Sequence, residues 1–264
     1  MEVEVMNREP AVAGSFYPAN PAVLGEMLQD FLQQSQTSAP APKAIIVPHA
    51  GYIYSGPIAA SAYARLKSVR DSISRVVLIG PSHRVAFQGL AVSHADTFST
   101  PLGAIPLDKT AIEQLQHLPF VGYLEQAHNQ EHSLEVHLPF LQQTLSHFKL
   151  VPIVTGDASP HQISQVLDTL WGGYETLIVI SSDLSHYHDY ATAQTMDKHT
   201  SNLIEQLDYK NLSAESACGK VPVSGLLKLL QEKALQIKTI DLRNSGDTAG
   251  DKYRVVGYGA YVVE

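Results

Sequence analysis

Three histidines stand just beyond short apolar runs. Lys43–Val47 (KAIIV) leads into Pro48-His49-Ala50-Gly51-Tyr52, Arg75–Ile79 (RVVLI) into Gly80-Pro81-Ser82-His83-Arg84, and Thr176–Ile180 (TLIVI) into Ser181-Ser182-Asp183-Leu184-Ser185-His186. Runs this short, β-branched and nearly all apolar read as strands covered on both faces by helices. In open α/β sheets ligands bind beyond the carboxyl ends of the strands, where loops from distant parts of the chain converge. His49, His83 and His186 are therefore the predicted ligands of one metal site. Three neutral imidazoles suit Fe, Cu, Zn or Ni rather than Mg or Ca, which take oxygen. Such a site keeps positions open for water, substrate or dioxygen. Asp183, three residues before His186, is a fourth ligand, a second acceptor that orients an imidazole, or a general base.

Other residues offer chemistry less directly. Glu131-His132-Ser133-Leu134-Glu135-Val136-His137 has the composition of a zinc-protease helix but not its spacing, because His132 and His137 are five apart rather than four. On a helix that separation turns the two rings about 140° away from each other. His132 and Glu135 share a face at i, i+3 and are secondary pocket candidates, above a predicted helix start. Cys218, in Ala217-Cys218-Gly219-Lys220-Val221-Pro222, is either a small buried hydrophobe or a thiolate on an exposed loop before a helix that Pro222 opens. Tyr52 and Tyr54 either line a pocket or pack on a neighbouring helix. The sequence has no phosphate loop, dinucleotide glycine pattern or nucleophile elbow.

The elements that must hold these loops are legible around them. Asn20 and Pro21 open an amphipathic helix carrying Leu24, Leu28 and Phe31. Helical patterns fall near 57–67, 108–117, 133–146 and 159–170, with Asp108, Ser133 and Ser159 as N-caps of the last three. A further apolar run, Leu150–Val154, is a strand. Thr239–Leu242 and Tyr253–Val263 are later ones. With 264 residues, 44% of them hydrophobic and 17% charged, the chain forms one large core. We expect a single α/β domain over 1–264 with a mixed, mostly parallel sheet flanked by helices. A net charge of −8 opposes nucleic-acid binding. No apolar run approaches the ~20 residues of a membrane span. The opening MEVEVMNREP lacks the features of a signal peptide, and a single cysteine permits no internal disulfide, so a cytoplasmic address is expected.

The blocks AGSFYPANP, PHAGYIYSG, GPSHR, EHSLEVHLPF, SSDLSHY, CGKVPV and the closing GDKYRVVGYGAYVV run in this order from about residue 13 to the end. In them the sequence resembles the Memo family, whose prokaryotic members are also called AmmeMemoRadiSam system protein B. The resemblance implies a single α/β domain like that of the class III extradiol dioxygenases, which are non-haem iron enzymes. It implies a metal pocket of His49, His83 and His186, with Asp183 and Cys218 beside it and Phe16 and Tyr54 near its mouth. Extradiol dioxygenases of this fold hold iron with two histidines and a carboxylate, so a third histidine and a nearby thiol count against ring cleavage. Many relatives have a second histidine after GPSH, where this chain has Arg84, which favours an anionic ligand or pairs with a surface acid. The implied function is a metal-dependent redox protein binding one ion, Fe(II) first and Cu or Zn next, with Asp183 and Cys218 as its catalytic groups. Implied partners are an AMMECR-type protein and a radical-SAM protein. Two other readings are a phosphopeptide- or small-ligand-binding module using the same cleft, and a metal-assisted hydrolase.

Overall fold

The computed structural model describes residues 5–264, so the first four residues of MEVEVMNREP lie outside it. In chain order it begins with β1 (Asn7–Arg8) and α1 (Pro21–Gln34), where the Asn20 side chain accepts from the amides of Ala22 and Val23. Then come β2 (Ala44–Val47), α2 (Tyr52–Tyr63) and β3 (Arg75–Pro81). A run of small elements follows: β4 (Leu90–Val92), β5 (Thr97–Thr100), β6 (Gly103–Pro106), α3 (Lys109–Glu113), β7 (Val121–Tyr123), α4 (Glu125–Asn129) and α5 (Leu138–Thr144). The chain closes with β8 (Lys149–Thr155), α6 (Pro160–Thr169), β9 (Thr176–Ser181), β10 (His186–His188), α7 (Tyr190–Glu205), α8 (Lys220–Lys233), β11 (Ile237–Asn244) and β12 (Val255–Val263).

The strands of the apolar runs lie at the centre of one large mixed sheet, ordered β10-β12-β2-β9-β3-β8-β4-β7, with β11 added on β12. β2, β9, β3 and β8 are mutually parallel neighbours, with Val47 level with Ser181 and Ile79 level with Ile180. β12 joins β2 antiparallel and β4 joins β8 antiparallel. Every residue of β2 and β9 is buried, as strands sandwiched between helices require. A three-stranded sheet, β1-β5-β6, stands apart. The expected single α/β domain with a mostly parallel core is what forms. Among the described residues, no helix is long and apolar enough to cross a membrane.

Local departures from the sequence reading have identifiable causes. Ser133 does not cap a helix. Its hydroxyl donates to the carbonyl of Pro81 (2.7 Å), and a 3-10 turn at Glu135–His137 precedes α5. Pro222 is the third residue of α8 rather than its first, which it can be because the first turn of a helix has unpaired N–H groups anyway. α7 escapes a hydropathy reading because YATAQTMDKHTSNLIE spaces its few buried apolar residues widely; Ala193, Leu203 and Ile204 face inward with Asp197, Thr200 and Ser201.

One buried ion pair ties the N-terminal segment to the loop that follows α4. The Arg8 guanidinium pairs with the Glu135 carboxylate and donates to the carbonyls of His128 (3.1 and 3.0 Å) and Glu131 (2.8 Å). Glu135 also accepts from the amides of Ala11 (2.7 Å) and Val12 (2.9 Å) and from the Tyr17 hydroxyl (2.5 Å). Its side chain is fully buried, so Glu135 is a fastening inside the protein and not a pocket group. Removing one partner of a buried, fully bonded pair leaves an uncompensated charge and costs about 3–5 kcal/mol. Glu135→Gln is therefore expected to lower the unfolding free energy by that amount, read from urea denaturation; an unchanged midpoint would contradict the fastening role.

Candidate metal centre

β2, β9 and β3 are adjacent and parallel, so the loops leaving their carboxyl ends emerge side by side. They deliver His49, Asp183 with His186, and His83 to one cavity of about 760 Å³, which Phe16, Tyr54, His132, Tyr187, Arg254 and Tyr258 also line. A larger hollow of about 860 Å³ lies at the opposite ends of the strands, around Arg75 and Lys149, where Arg75 is already paired with Asp108. It contains no ligating cluster and is not the site.

Within the cavity, His49, His83 and His132 each offer a ligand atom, and these atoms lie within 4.8 Å of one another. Their rings pack as a group: His83 stacks on His132 at 4.5 Å, and His49 stands edge-on to both at 5.1 and 5.5 Å. The third member comes from the loop before α5, which crosses the end of β3 at Gly80. A Cβ on Gly80 would meet the Ser133 hydroxyl and Leu134 at 2.9 Å, so the close crossing needs glycine there. His137, five residues on, lies outside the cavity, although a turn and a 3-10 segment, not the α-helix expected from the sequence, separate it from His132. Its ring meets Tyr63 and Ser181 instead.

Each imidazole is oriented by a group behind it. His83 holds Glu131 through Nδ1 (2.8 Å) and its own amide (2.6 Å), and Glu131 also accepts from the amides of His132 (3.0 Å) and Ser133 (2.9 Å). Burial alone would push the Glu131 carboxyl up, but the His83 ring and these amides hold it at about 2. An anionic carboxylate behind a ligating histidine fixes the ring and raises its basicity. His49 places Nδ1 2.6 Å from the Ser181 hydroxyl, and its amide donates to Asp183 (2.7 Å). Phe16 leans on His132 at 4.7 Å.

Burial keeps two of the three rings, His49 and His132, neutral. His49 is held well below its ordinary value by burial and then by the neighbouring imidazoles. Burial and His83 bring His132 down to about 4. Neutral imidazoles present lone pairs to a cation without proton competition. The donor set therefore fits a borderline transition metal: three nitrogens close enough to share one ion, on constrained loops, with carboxylate or hydroxyl groups locking their far sides.

The remaining predicted residues take distinct places. His186 lines the same cavity outside the group of three, with Nδ1 2.8 Å from the Leu184 carbonyl, which leaves Nε2 free. Asp183 is buried, its Oδ2 lies 4.0 Å from His49 Nε2, and burial pushes its carboxyl up to about 6. The Cys218 thiol lies 3.2 Å from His49 Nε2 and accepts from the Asp183 amide at 3.3 Å. Gly219 allows this, since a Cβ there would meet the Ser181 carbonyl at 2.4 Å. The loop is not the exposed thiolate site that Gly219 and Lys220 suggest: burial and then Asp183 push the thiol up to about 12, so without a metal it stays protonated. Tyr54 and Phe16 line the cavity, whereas Arg84 is exposed and stands outside its wall. Glu131, Ser181 and His137 went unassigned in the sequence. Glu131 had a legible signal, a carboxylate directly before a histidine; Ser181 and His137 matter only through the packing of β9 against the loop before α5.

Fold and site together define an α/β protein whose parallel strands end in an imidazole cluster able to take a metal ion. A family model described as Memo-like protein matches residues 8–262. A MEMO1 family protein of Aquifex aeolicus is 36% identical, covering 95% of this chain and 97% of its own. Another, from Sulfolobus acidocaldarius, is 34% identical over 96% and 98%. This chain belongs to the Memo-like protein family. A solved structure of an uncharacterized protein from Escherichia coli K12 covers 83% of the chain at a TM-score of 0.48 and 13% identity.

The buried histidines set an acid limit. Burial lowers His128 to about 4 and His137 to about 3, beside His132 at about 4. A group whose folded pKa is depressed binds fewer protons folded than unfolded, so its stability contribution is complete above its unfolded value near 6.5 and is lost as the pH falls toward 4. Asp183 and Asp197, with raised pKa values, act in the opposite sense, two carboxyls against four imidazoles once His49 is counted. The unfolding free energy from urea titrations is expected to fall steadily from pH 7 to pH 4.5, by roughly a few kcal/mol in all. A flat profile would show that these imidazoles are not buried neutral.

Proposed function

We propose that the protein is a metal-dependent redox protein in which His49, His83 and His132 hold one ion, Fe(II) or Cu, at the floor of the cavity. The observation that carries this is the convergence of three imidazole donors on one point, each backed by an orienting group or an aromatic wall. When bound, such an ion supplies Lewis acidity and one-electron chemistry at positions the protein leaves open. Phe16, Tyr54, Tyr187 and Tyr258 supply flat walls for an organic ligand, and Arg254, over the Tyr187 ring at 5.2 Å, adds a positive charge at the rim. Asp183, with its carboxyl near 6, is suited to exchange a proton at neutral pH with a ligand bound beside His49. His186 offers Nε2 as a hydrogen-bond acceptor for such a ligand or as a fourth nitrogen for the ion. The Cys218 thiol, 3.2 Å from His49 Nε2, is placed either to ligate the ion after losing its proton or to be oxidised beside it.

Metal-assisted hydrolysis would use the same residues, and the raised Asp183 carboxyl suits a general base there. Oxygen dependence separates the two readings, since a hydrolase turns over equally well without air.

Metal content by mass spectrometry tests the site. Protein purified anaerobically without tags or chelators is expected to carry near-stoichiometric iron or copper. His49→Ala and His132→Ala are each expected to lose it, with affinity reduced by more than the roughly 10–100-fold typical of outer-shell changes. Arg84→Ala, outside the cavity wall, is expected to retain it. Full metal content in His132→Ala would contradict the ligand set, and zinc alone would favour hydrolysis.

A further inference from the structure

We propose that Ser181 is a positioning residue that, together with His137, selects the ring tautomer of His49 and so aims the Nε2 lone pair into the metal centre. The inference rests on the reading of His49 as a ligand only for its consequence; the tautomer itself follows from counting protons. A serine hydroxyl has one proton to give and two lone pairs to accept with. Ser181 Oγ has three partners: the Ser133 carbonyl at 2.6 Å, His49 Nδ1 at 2.6 Å and His137 Nε2 at 2.9 Å. A carbonyl can only accept, and among the described residues no other donor reaches that of Ser133, so the single hydroxyl proton goes to it. Both imidazole nitrogens must then donate.

For His49, donation from Nδ1 in a neutral ring leaves Nε2 bare, and Nε2 is the nitrogen that lies 3.2 Å from Cys218 Sγ at the cavity floor. For His137, donation from Nε2 leaves Nδ1 bare, and the Tyr63 hydroxyl stands 3.1 Å away to donate into it. The chain Tyr63 → His137 → Ser181 ← His49 therefore gives every donor an acceptor, and no member can be reversed without orphaning the Ser133 carbonyl. All these residues are buried, and the Tyr63 ring is held by stacking on Phe140 at 4.9 Å, so water cannot substitute for a lost partner. His83 has the same orientation by a different device, the Glu131 carboxylate on Nδ1. A histidine outside the cavity thus acts on one inside it.

Long-range proton–nitrogen NMR on the metal-free, nitrogen-15-labelled protein reads the tautomers directly. His49 is expected as the Nδ1–H form and His137 as the Nε2–H form. A wild-type spectrum with His49 protonated on Nε2 overturns the proposal without recourse to any variant. Ser181→Ala removes the shared acceptor: His49 is expected to shift toward Nε2–H, and the affinity for added Co(II), followed by absorption, to fall about 10- to 100-fold. An unchanged His49 tautomer in a folded Ser181→Ala variant also overturns it. If wild-type protein shows the expected tautomers yet takes up no Co(II), the metal reading fails and the positioning role of Ser181 stands.

Discussion

The Glu135 carboxylate, fully buried and bonded to Arg8, two backbone amides and Tyr17, is the constraint on which the geometry of the site depends. It pins the segment at residues 8–17 against the loop between α4 and α5. That segment brings Phe16 over His132, and its Phe16 carbonyl accepts from the Tyr52 amide at the start of α2, just beyond His49. Four residues before Glu135, Glu131 gathers the other side of the same loop around His83. Two carboxylates on one loop therefore do separate jobs: one joins the loop to the chain's beginning, the other joins it to the end of β3. His132 sits between them with little freedom to move.

The parallel core accounts for the rest of the placement. Because β2, β9 and β3 are neighbours in register, their exits present His49, Asp183 and His83 within one cavity although they are far apart in sequence. Close crossings at Gly80 and Gly219 let the loops carrying His132 and Cys218 descend onto the strand ends. The burial at the inner end of the cavity strips groups of charge: His49 and His132 are driven neutral, the thiol is kept protonated, and Asp183 is raised to about 6. A cation entering such a place gains donors that need lose no proton, except at cysteine. The proposed metal site and the expected acid sensitivity thus follow from one arrangement.

Much of this was legible from the residues. Nearly all-apolar runs such as KAIIV and TLIVI announce central parallel strands, and the histidines after them announce the edge at which a site is expected. Asn20, Asp108 and Ser159 cap helices as their types suggest. Spacing ranks His186 above His132, whereas the three ligand atoms that lie within 4.8 Å of one another include that of His132. His132 is carried by no strand, and it reaches the cluster only because Glu131 and Glu135 hold its loop, a tertiary effect with no local period. His186 stands where a strand-end reading puts it, on the cavity wall. The sequence leaves Cys218 between two readings for a related reason: flanking glycine and lysine signal exposure locally, while packing of the α8 start against β9 covers the thiol and favours the buried one. Ser181 and His137, which only orient other side chains, leave no such pattern, whereas Glu131 stands directly before a histidine.

The claim that matters most is that His49, His83 and His132 share one ion. Anomalous diffraction at the iron or copper edge, on crystals grown and loaded without oxygen, tests it directly. The expected result is a single peak with one nitrogen from each of these three rings at about 2.0–2.2 Å. A peak held by His186 and Asp183 without His132, or a peak away from the cavity, would contradict it.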